Sequence, residues 1–317
     1  MRLMDGPRFA VGTLTVFPVR VERVDRGVAG SAMSLAPGVG LVLGAVAGLP
    51  LLLPGPPLLG AALALGLLAL LTRGLHLDGL ADLADGLGSG KPSGQALDIM
   101  KKSDIGPFGV MTLVFTLLVQ AVSLAEAGFA ALVTACVAGR LALTWACRAG
   151  VPAARPDGLG AMVAGTVRRP AVWLVTVAAL CAVAALGPVI TAAAGPGGWI
   201  ADARAWLTGA DPRDTASELS PGLVYEHDLA EWHGMASEPP VEWGPMLLPA
   251  GSGPGPGLLG SAWALVVPPV ALLAGLTAAL LLLRRARRRL GGITGDVLGA
   301  LVETATATAL AVYAILC

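Results

Sequence analysis

Seven stretches of this chain are apolar over lengths close to a bilayer crossing: Val28 to Leu53, Leu58 to Leu75, Gly106 to Leu124, Gly128 to Cys147, Pro170 to Ala194, Leu258 to Leu283 and Val297 to Cys317. A crossing helix needs about 20 such residues. Inside a bilayer the backbone must satisfy its own hydrogen bonds, so runs of this kind fold as helices. The expected fold class is therefore all-α: a polytopic integral membrane helical bundle of about seven transmembrane helices. The second stretch is short. Pro37 in the first, and Pro268 and Pro269 in the sixth, predict kinks there. Gly40, Gly44 and Gly48 recur every four residues and predict a face for close helix packing.

Composition excludes several function classes. Only 13% of residues are charged, against about 25% in soluble domains, which excludes an ordinary soluble enzyme and a disordered chain. Lys and Arg number 21, as do Asp and Glu. With no net positive charge there is no footprint for nucleic acid. Cys136, Cys147, Cys181 and Cys317 lie in apolar stretches without a CxxC pair, and read as buried residues of the bundle, not as disulfides or a zinc site. The apolar run Phe9 to Val19 is too short to span and lacks a small-residue cleavage site, so it does not read as a signal peptide.

Basic residues assign the sides. Arg20, Arg23 and Arg26 precede the first span. Arg73, Lys91, Lys101 and Lys102 follow the second. Arg148, Arg155, Arg168 and Arg169 follow the fourth, and Arg284, Arg285, Arg287, Arg288 and Arg289 the sixth. These places alternate along the chain, and the positive-inside rule makes them cytoplasmic. The opposite side then holds residues 195–257, with nine acids, two arginines and four tryptophans. The expected organisation is one membrane-embedded catalytic domain over residues 1–317, carrying 195–257 as an acidic extracytoplasmic insertion.

The chemistry concentrates in a few polar positions. In His76-Leu77-Asp78-Gly79-Leu80-Ala81-Asp82-Leu83-Ala84-Asp85-Gly86, the three aspartates are spaced i, i+4, i+7. On a helix they share a face. Three like charges there call for a cation, and Mg2+, a hard ion that takes oxygen ligands and bridges to phosphate, suits them. A solvated helix face at the membrane exit is the simpler alternative. Asp296 and Glu303, spaced i, i+7, share a second acidic face, with Glu303 about two turns inside the last span. An ionisable group at that depth marks function or pairing. Arg140, inside the fourth span, is the natural partner for Glu303 or an aspartate, or a bidentate phosphate contact. His76 reads as a base, a phosphate contact or a polar residue at a helix interface. The Arg284 to Arg289 cluster reads as a cytoplasmic anchor or as a landing patch for a nucleotide diphosphate.

These segments, in this order, resemble the cobalamin synthase family, the adenosylcobinamide-GDP ribazoletransferases. The resemblance rests on His76 to Gly86, on Ser103-Asp104-Ile105-Gly106-Pro107-Phe108-Gly109, on Arg140, on Ala154-Arg155-Pro156-Asp157-Gly158-Leu159-Gly160, and on Gly291 to Gly299 followed by Glu303. Thr306 stands where that family often has a second acid, and residues 195–257 have no counterpart in the pattern. The resemblance implies a membrane transferase that joins adenosylcobinamide-GDP to α-ribazole or its 5′-phosphate. The products are adenosylcobalamin or its 5′-phosphate, and GMP. It implies Mg2+ at Asp78, Asp82, Asp85, Asp296 and Glu303. His76 and Asp82 are the expected catalytic residues, and Ser103, Arg140 and Arg155 the expected substrate contacts. Small molecules are then the substrates and membrane lipid the surroundings; a homo-oligomer is compatible with the sequence. A CDP-alcohol phosphotransferase would need Arg after Ala81, where Asp82 stands, and further acids on one following helix. A transporter would need its acids near the bilayer midplane.

Overall fold

In a computed structural model of the chain, residues 4–20, 25–194 and 258–317 are described; the expected insertion at 195–257 lies outside them. Ten α-helices are present among the described residues: α1 (Asp5–Leu14), α2 (Arg26–Ala47), α3 (Pro57–Leu71), α4 (Leu75–Gly88), α5 (Ser93–Ile99), α6 (Pro107–Ala146), α7 (Gly158–Val163), α8 (Arg169–Ala194), α9 (Leu258–Leu290) and α10 (Gly295–Leu316). There is no strand among the described residues. The all-α polytopic class holds.

Five of these helices, α2, α6, α8, α9 and α10, are long and apolar enough to cross a membrane. The 40 residues of α6 are two limbs, because Gly128 sits inside it at φ 72°, ψ −161°. A residue with a β-carbon would be strained there. The limbs run back alongside each other: Gln120 on the first reaches Glu303, while Gly139 on the second lies against Val302 and Thr306 of the same helix. In an unbroken helix those positions would stand almost 30 Å apart. Five helices are that long and apolar, or six if the bent pair α3 and α4 counts as one span, and only reading the two limbs of α6 as separate crossings brings the number to the seven expected.

α3 is only 15 residues long. The chain then turns by 89° into α4, through two successive left-handed residues, Arg73 at φ 55° and Gly74 at φ 65°. Arg73 is held in this unfavourable conformation by bonds from its guanidinium to the carbonyls of Gly12 and Thr15 beside α1. So α4 turns away from the axis of α3 and carries the Asp78 segment toward the end of the bundle.

Small residues decide which helices touch. Gly40 and Gly44 of α2, and Gly48 that caps it, face the second limb of α6 as expected; a methyl on Gly44 would stand 2.7 Å from Val133 Cα. α10 is the central helix, packed against α4, α6 and α9. One expectation shifts: Arg284 to Arg289 do not form a loop but continue α9 through its last turns. Arginine is a good helix former, and its charge is favoured at a helix C-terminus.

The basic segments meet at one end. Arg26 donates to the carbonyls of Ala161 and Ala164, Arg287 to that of Gly150, and Arg289 to that of Lys91. All four basic places therefore share one end, as their alternation along the sequence requires.

Candidate active site

Two glycine contacts build the site. A β-carbon on Gly79 of α4 would lie 2.9 Å from Asp296 Cα, and one on Gly299 of α10 would lie 3.1 Å from the carbonyl oxygens of Leu75 and His76. With nothing between their backbones, α4 and α10 bring the Asp78 segment directly against Asp296, more than 200 residues later in sequence. No packed helix separates them.

A third segment is stitched to the same place. Ala154 N–H donates to the Ile293 carbonyl, and Ile293 N–H to that of Pro152, both at 3.0 Å. Gly292 allows this, since a β-carbon there would collide with the backbone from Pro152 to Ala154. Thr294 then caps α10: its Oγ1 accepts from Val297 N–H at 3.2 Å and donates to Asp296 Oδ2 at 3.3 Å. The result places Arg155 next to Asp296. Its guanidinium also donates to the Leu97 carbonyl, while its Nε is buried without a partner among the described residues.

The electrostatics show how tightly the charges gather. Asp78 is exposed and Asp82 half-buried. Burial first, then the charges of Asp78, Asp296 and Asp85, push the Asp82 carboxyl up to about 6; only Arg155 opposes them. The site thus holds more negative charge than its one arginine offsets. Even so, among the described residues no three carboxylate, imidazole or thiol side chains converge on a common point as they stand. The acids lie near enough to repel one another and remain apart enough that an incoming cation would have to draw them in.

Asp85 departs from the expected cluster. It is buried at 8% exposure, and its Oδ2 and Oδ1 accept the backbone N–H groups of Gly106 and Gly109 at 2.7 and 3.0 Å. Those amides belong to the first turn of α6, so Asp85 caps that helix from α4 and meets its positive end. A shared helix face does not guarantee a shared environment: the stripe Asp78, Asp82, Asp85 runs from solvent into the protein. The glycines of the Ser103 to Gly109 segment are explained by the same contact, since β-carbons at Gly106 or Gly109 would strike the Asp85 carboxylate. Ser103 itself is exposed on the loop between α5 and α6.

Glu303 and Arg140 are likewise buried. Glu303 is buried on α10 and accepts a 2.8 Å bond from Gln120 Nε2 on the first limb of α6. Gln120 was not anticipated; its signal is a lone amide in an otherwise apolar span. Arg140 is 1% exposed, and its Nε and Nη2 have no hydrogen-bond partner among the described residues. Its charge acts on both His76 and Glu303. His76 is 4% exposed; burial first, then Arg140, hold its pKa well below the ordinary value, so the imidazole is neutral. The cleft beside the site, about 610 Å3, is lined by Arg155, Arg26 and the backbone of residues 151–156, and by none of the acids.

The chain matches the family model described as cobalamin-5-phosphate synthase over residues 6–210 and 245–314. An adenosylcobinamide-GDP ribazoletransferase of Frankia casuarinae is 37% identical, over 98% of this chain and 95% of its own. One of Nocardioides sp. is 44% identical over 53% of this chain and 76% of its own. A third, of Corynebacterium efficiens, is 36% identical over 59% of this chain and 74% of its own. No solved structure matches. The family match covers every segment that meets at the α4–α10 contact, and the chain belongs to the cobalamin-5-phosphate synthase family of transferases.

Proposed function

We propose that this chain joins adenosylcobinamide-GDP to α-ribazole or its 5′-phosphate, releasing GMP, at the α4–α10 contact. The relatives above carry that activity in their names. The observation that carries the reading is the uncompensated negative charge of Asp78, Asp82 and Asp296 beside a single arginine. A diphosphate is itself anionic and could not approach such a site unaided.

Mg2+ fits the donor set: three carboxylates are hard oxygen ligands whose mutual repulsion a divalent ion would relieve. Asp78, Asp82 and Asp296 would hold it. Asp85 and Glu303 are left out, since their oxygens already accept bonds from α6. When bound, such an ion neutralises the phosphoryl oxygens of the diphosphate and the oxygen that leaves. Arg155 would bind the phosphate from the loop side, with Ser103, exposed on the loop before α6, a further expected contact. The 5′-hydroxyl of the ribazole attacks the phosphorus attached to cobinamide. The bond from that phosphorus to the GMP oxygen breaks, and the hydroxyl proton passes to the solvent side of the site, where the carboxylates are exposed. His76 and Arg140, both buried, position α4 against α10, and Arg140 alone supplies positive charge beneath the acids; neither reaches substrate directly.

The basic end of the bundle faces the cytoplasm in this reading, by the positive-inside rule, and the enzyme sits in the cell membrane. In a background without native cysteines, Ser89→Cys should escape an impermeant thiol reagent in intact cells and react after lysis. Reaction in intact cells overturns the orientation. The activity is tested with purified protein, adenosylcobinamide-GDP and α-ribazole: GMP should appear, stop on chelation and return with Mg2+. Failure of wild-type protein to release GMP in the presence of both substrates and Mg2+ refutes the assignment.

A further inference from the structure

At the basic end, three helix ends meet away from the acids. Arg148 follows the second limb of α6, Arg169 opens α8, and Arg284 and Arg287 lie in the last turns of α9. The electrostatic neighbours of Arg148 are all cations: after burial, Arg287, Arg169 and Arg284 each hold its pKa below the ordinary value. The hydrogen bonds of Arg148 and Arg287 go to neutral backbone carbonyls, of Trp145 and Gly150. Two hollows open between these side chains. One, about 140 Å3, is lined by Trp145, Arg148, Arg169 and Trp173, and the other, about 310 Å3, by Arg284, Arg287 and Arg288.

The position of the cluster says what covers it. Arg148 lies over the Trp145 ring, 5.4 Å from its centroid. Trp145 meets Trp173 edge-on at 5.0 Å and donates to Thr176 Oγ1 at 3.0 Å. Trp173 is 61% exposed, and Leu174 and Val177 beside it are 72% and 56% exposed. Exposed aliphatic surface on a crossing helix faces acyl chains, and tryptophans at its end mark the headgroup level. The guanidiniums therefore stand where lipid phosphates lie, crowded together with, among the described residues, only like charges acting on Arg148. A phosphate anion would relieve that crowding through charge-assisted bonds.

We propose that the corner formed by α6, α8 and α9 binds the phosphate headgroup of an anionic phospholipid, with its acyl chains along Trp173, Leu174 and Val177 of α8. Basic hollows between helices at the cytoplasmic surface take such headgroups, and each arginine there strengthens binding about fivefold. None of these arginines is among the charges acting on Asp82 or Asp296, and the proposal does not depend on the reaction assigned above.

The test uses the full-length protein in detergent, with phosphatidylglycerol or phosphatidylcholine added and bound lipid counted by native mass spectrometry. Wild type should retain phosphatidylglycerol in preference to phosphatidylcholine, and lose it with added salt. Arg148→Gln/Arg284→Gln/Arg287→Gln should weaken that retention by on the order of a hundredfold. Lys101→Gln/Lys102→Gln/Arg285→Gln, which removes as much charge from the same end, should leave it intact. Equal retention of the two lipids by wild type, or unchanged retention by the first triple variant, overturns the proposal. So does displacement of phosphatidylglycerol by millimolar GMP, which would make the corner a nucleotide site. If the first triple variant does not fold, the lipid preference of wild type and its salt dependence decide the matter.

Discussion

Two groups of ionisable side chains lie along α10, and the protein treats them in opposite ways. At its N-terminal end Asp296 joins Asp78 and Asp82, exposed or half-buried, with like charges for neighbours and Arg155 as the opposing cation. About two turns further along, Glu303 is buried and given an amide partner by Gln120. An acid within reach of water can be left uncompensated until a ligand arrives, because solvent bears the cost meanwhile. One inside the bundle must be satisfied by the protein itself. In the proposed reading, exposed, poorly compensated charge marks the site of chemistry, and buried, satisfied charge marks its support. Arg140 is the exception: it is buried with two nitrogens unpartnered among the described residues, and only the charges it acts on explain its place.

The largest effect that can break this contrast is on turnover. Asp82→Asn and Asp296→Asn should each lower GMP release by about a hundredfold or more, as loss of a charge-stabilising group does, while melting temperature in detergent stays within a few degrees or rises. Activity near wild type in either variant removes that residue from the site. Asp85→Ala should show the reverse pattern. It leaves two amides at the start of α6 unsatisfied, so it should cost on the order of 2–4 kcal/mol of stability, read as a fall in melting temperature and yield. A stable, inactive Asp85→Ala protein would return Asp85 to the ligand set.

Smaller effects sharpen the same line. Glu303→Gln keeps a partner for Gln120 and should retain most of the activity, whereas Glu303→Ala should cost about 1–3 kcal/mol by orphaning that amide. If Glu303→Gln is as inactive as Asp82→Asn, the deeper acid belongs to the chemistry. Gly79→Ala pushes a methyl toward Asp296 Cα, 2.9 Å away. It should destabilise by about 1–3 kcal/mol and lower turnover about tenfold by shifting one acidic segment against the other. An unchanged kcat would mean the spacing of the two segments is not critical.

Much of this was legible in the sequence because membrane solvation leaves few choices. The crossings, the basic end and the glycine face of α2 follow from hydropathy, charge and four-residue spacing. The meeting of Asp78 with Asp296 was inferable from the need of each acid for a partner, although only the Gly79 and Gly299 contacts fix it. The fate of Asp85 was not legible: its i+7 spacing is the same whether the helix face ends in water or against another helix terminus. Nor was it legible that Arg155 and not Arg140 acts on Asp82 and Asp296, since span membership gives depth but not direction. Gln120 carried a signal, a single amide among apolar residues, that only its contact with Glu303 turns into a role.

The central proposal is a single metal-binding site shared by two distant segments, α4 and α10. Mn2+ affinity of the purified protein, read from the EPR signal of the free ion, tests this in Asp82→Asn, Asp296→Asn and the double variant. Each single substitution should weaken binding at least about tenfold, and the double should lose little more than either alone, because the two carboxylates hold one ion. Unchanged affinity in Asp296→Asn, or losses that add in full in the double variant, would mean that α4 and α10 touch without forming a common site.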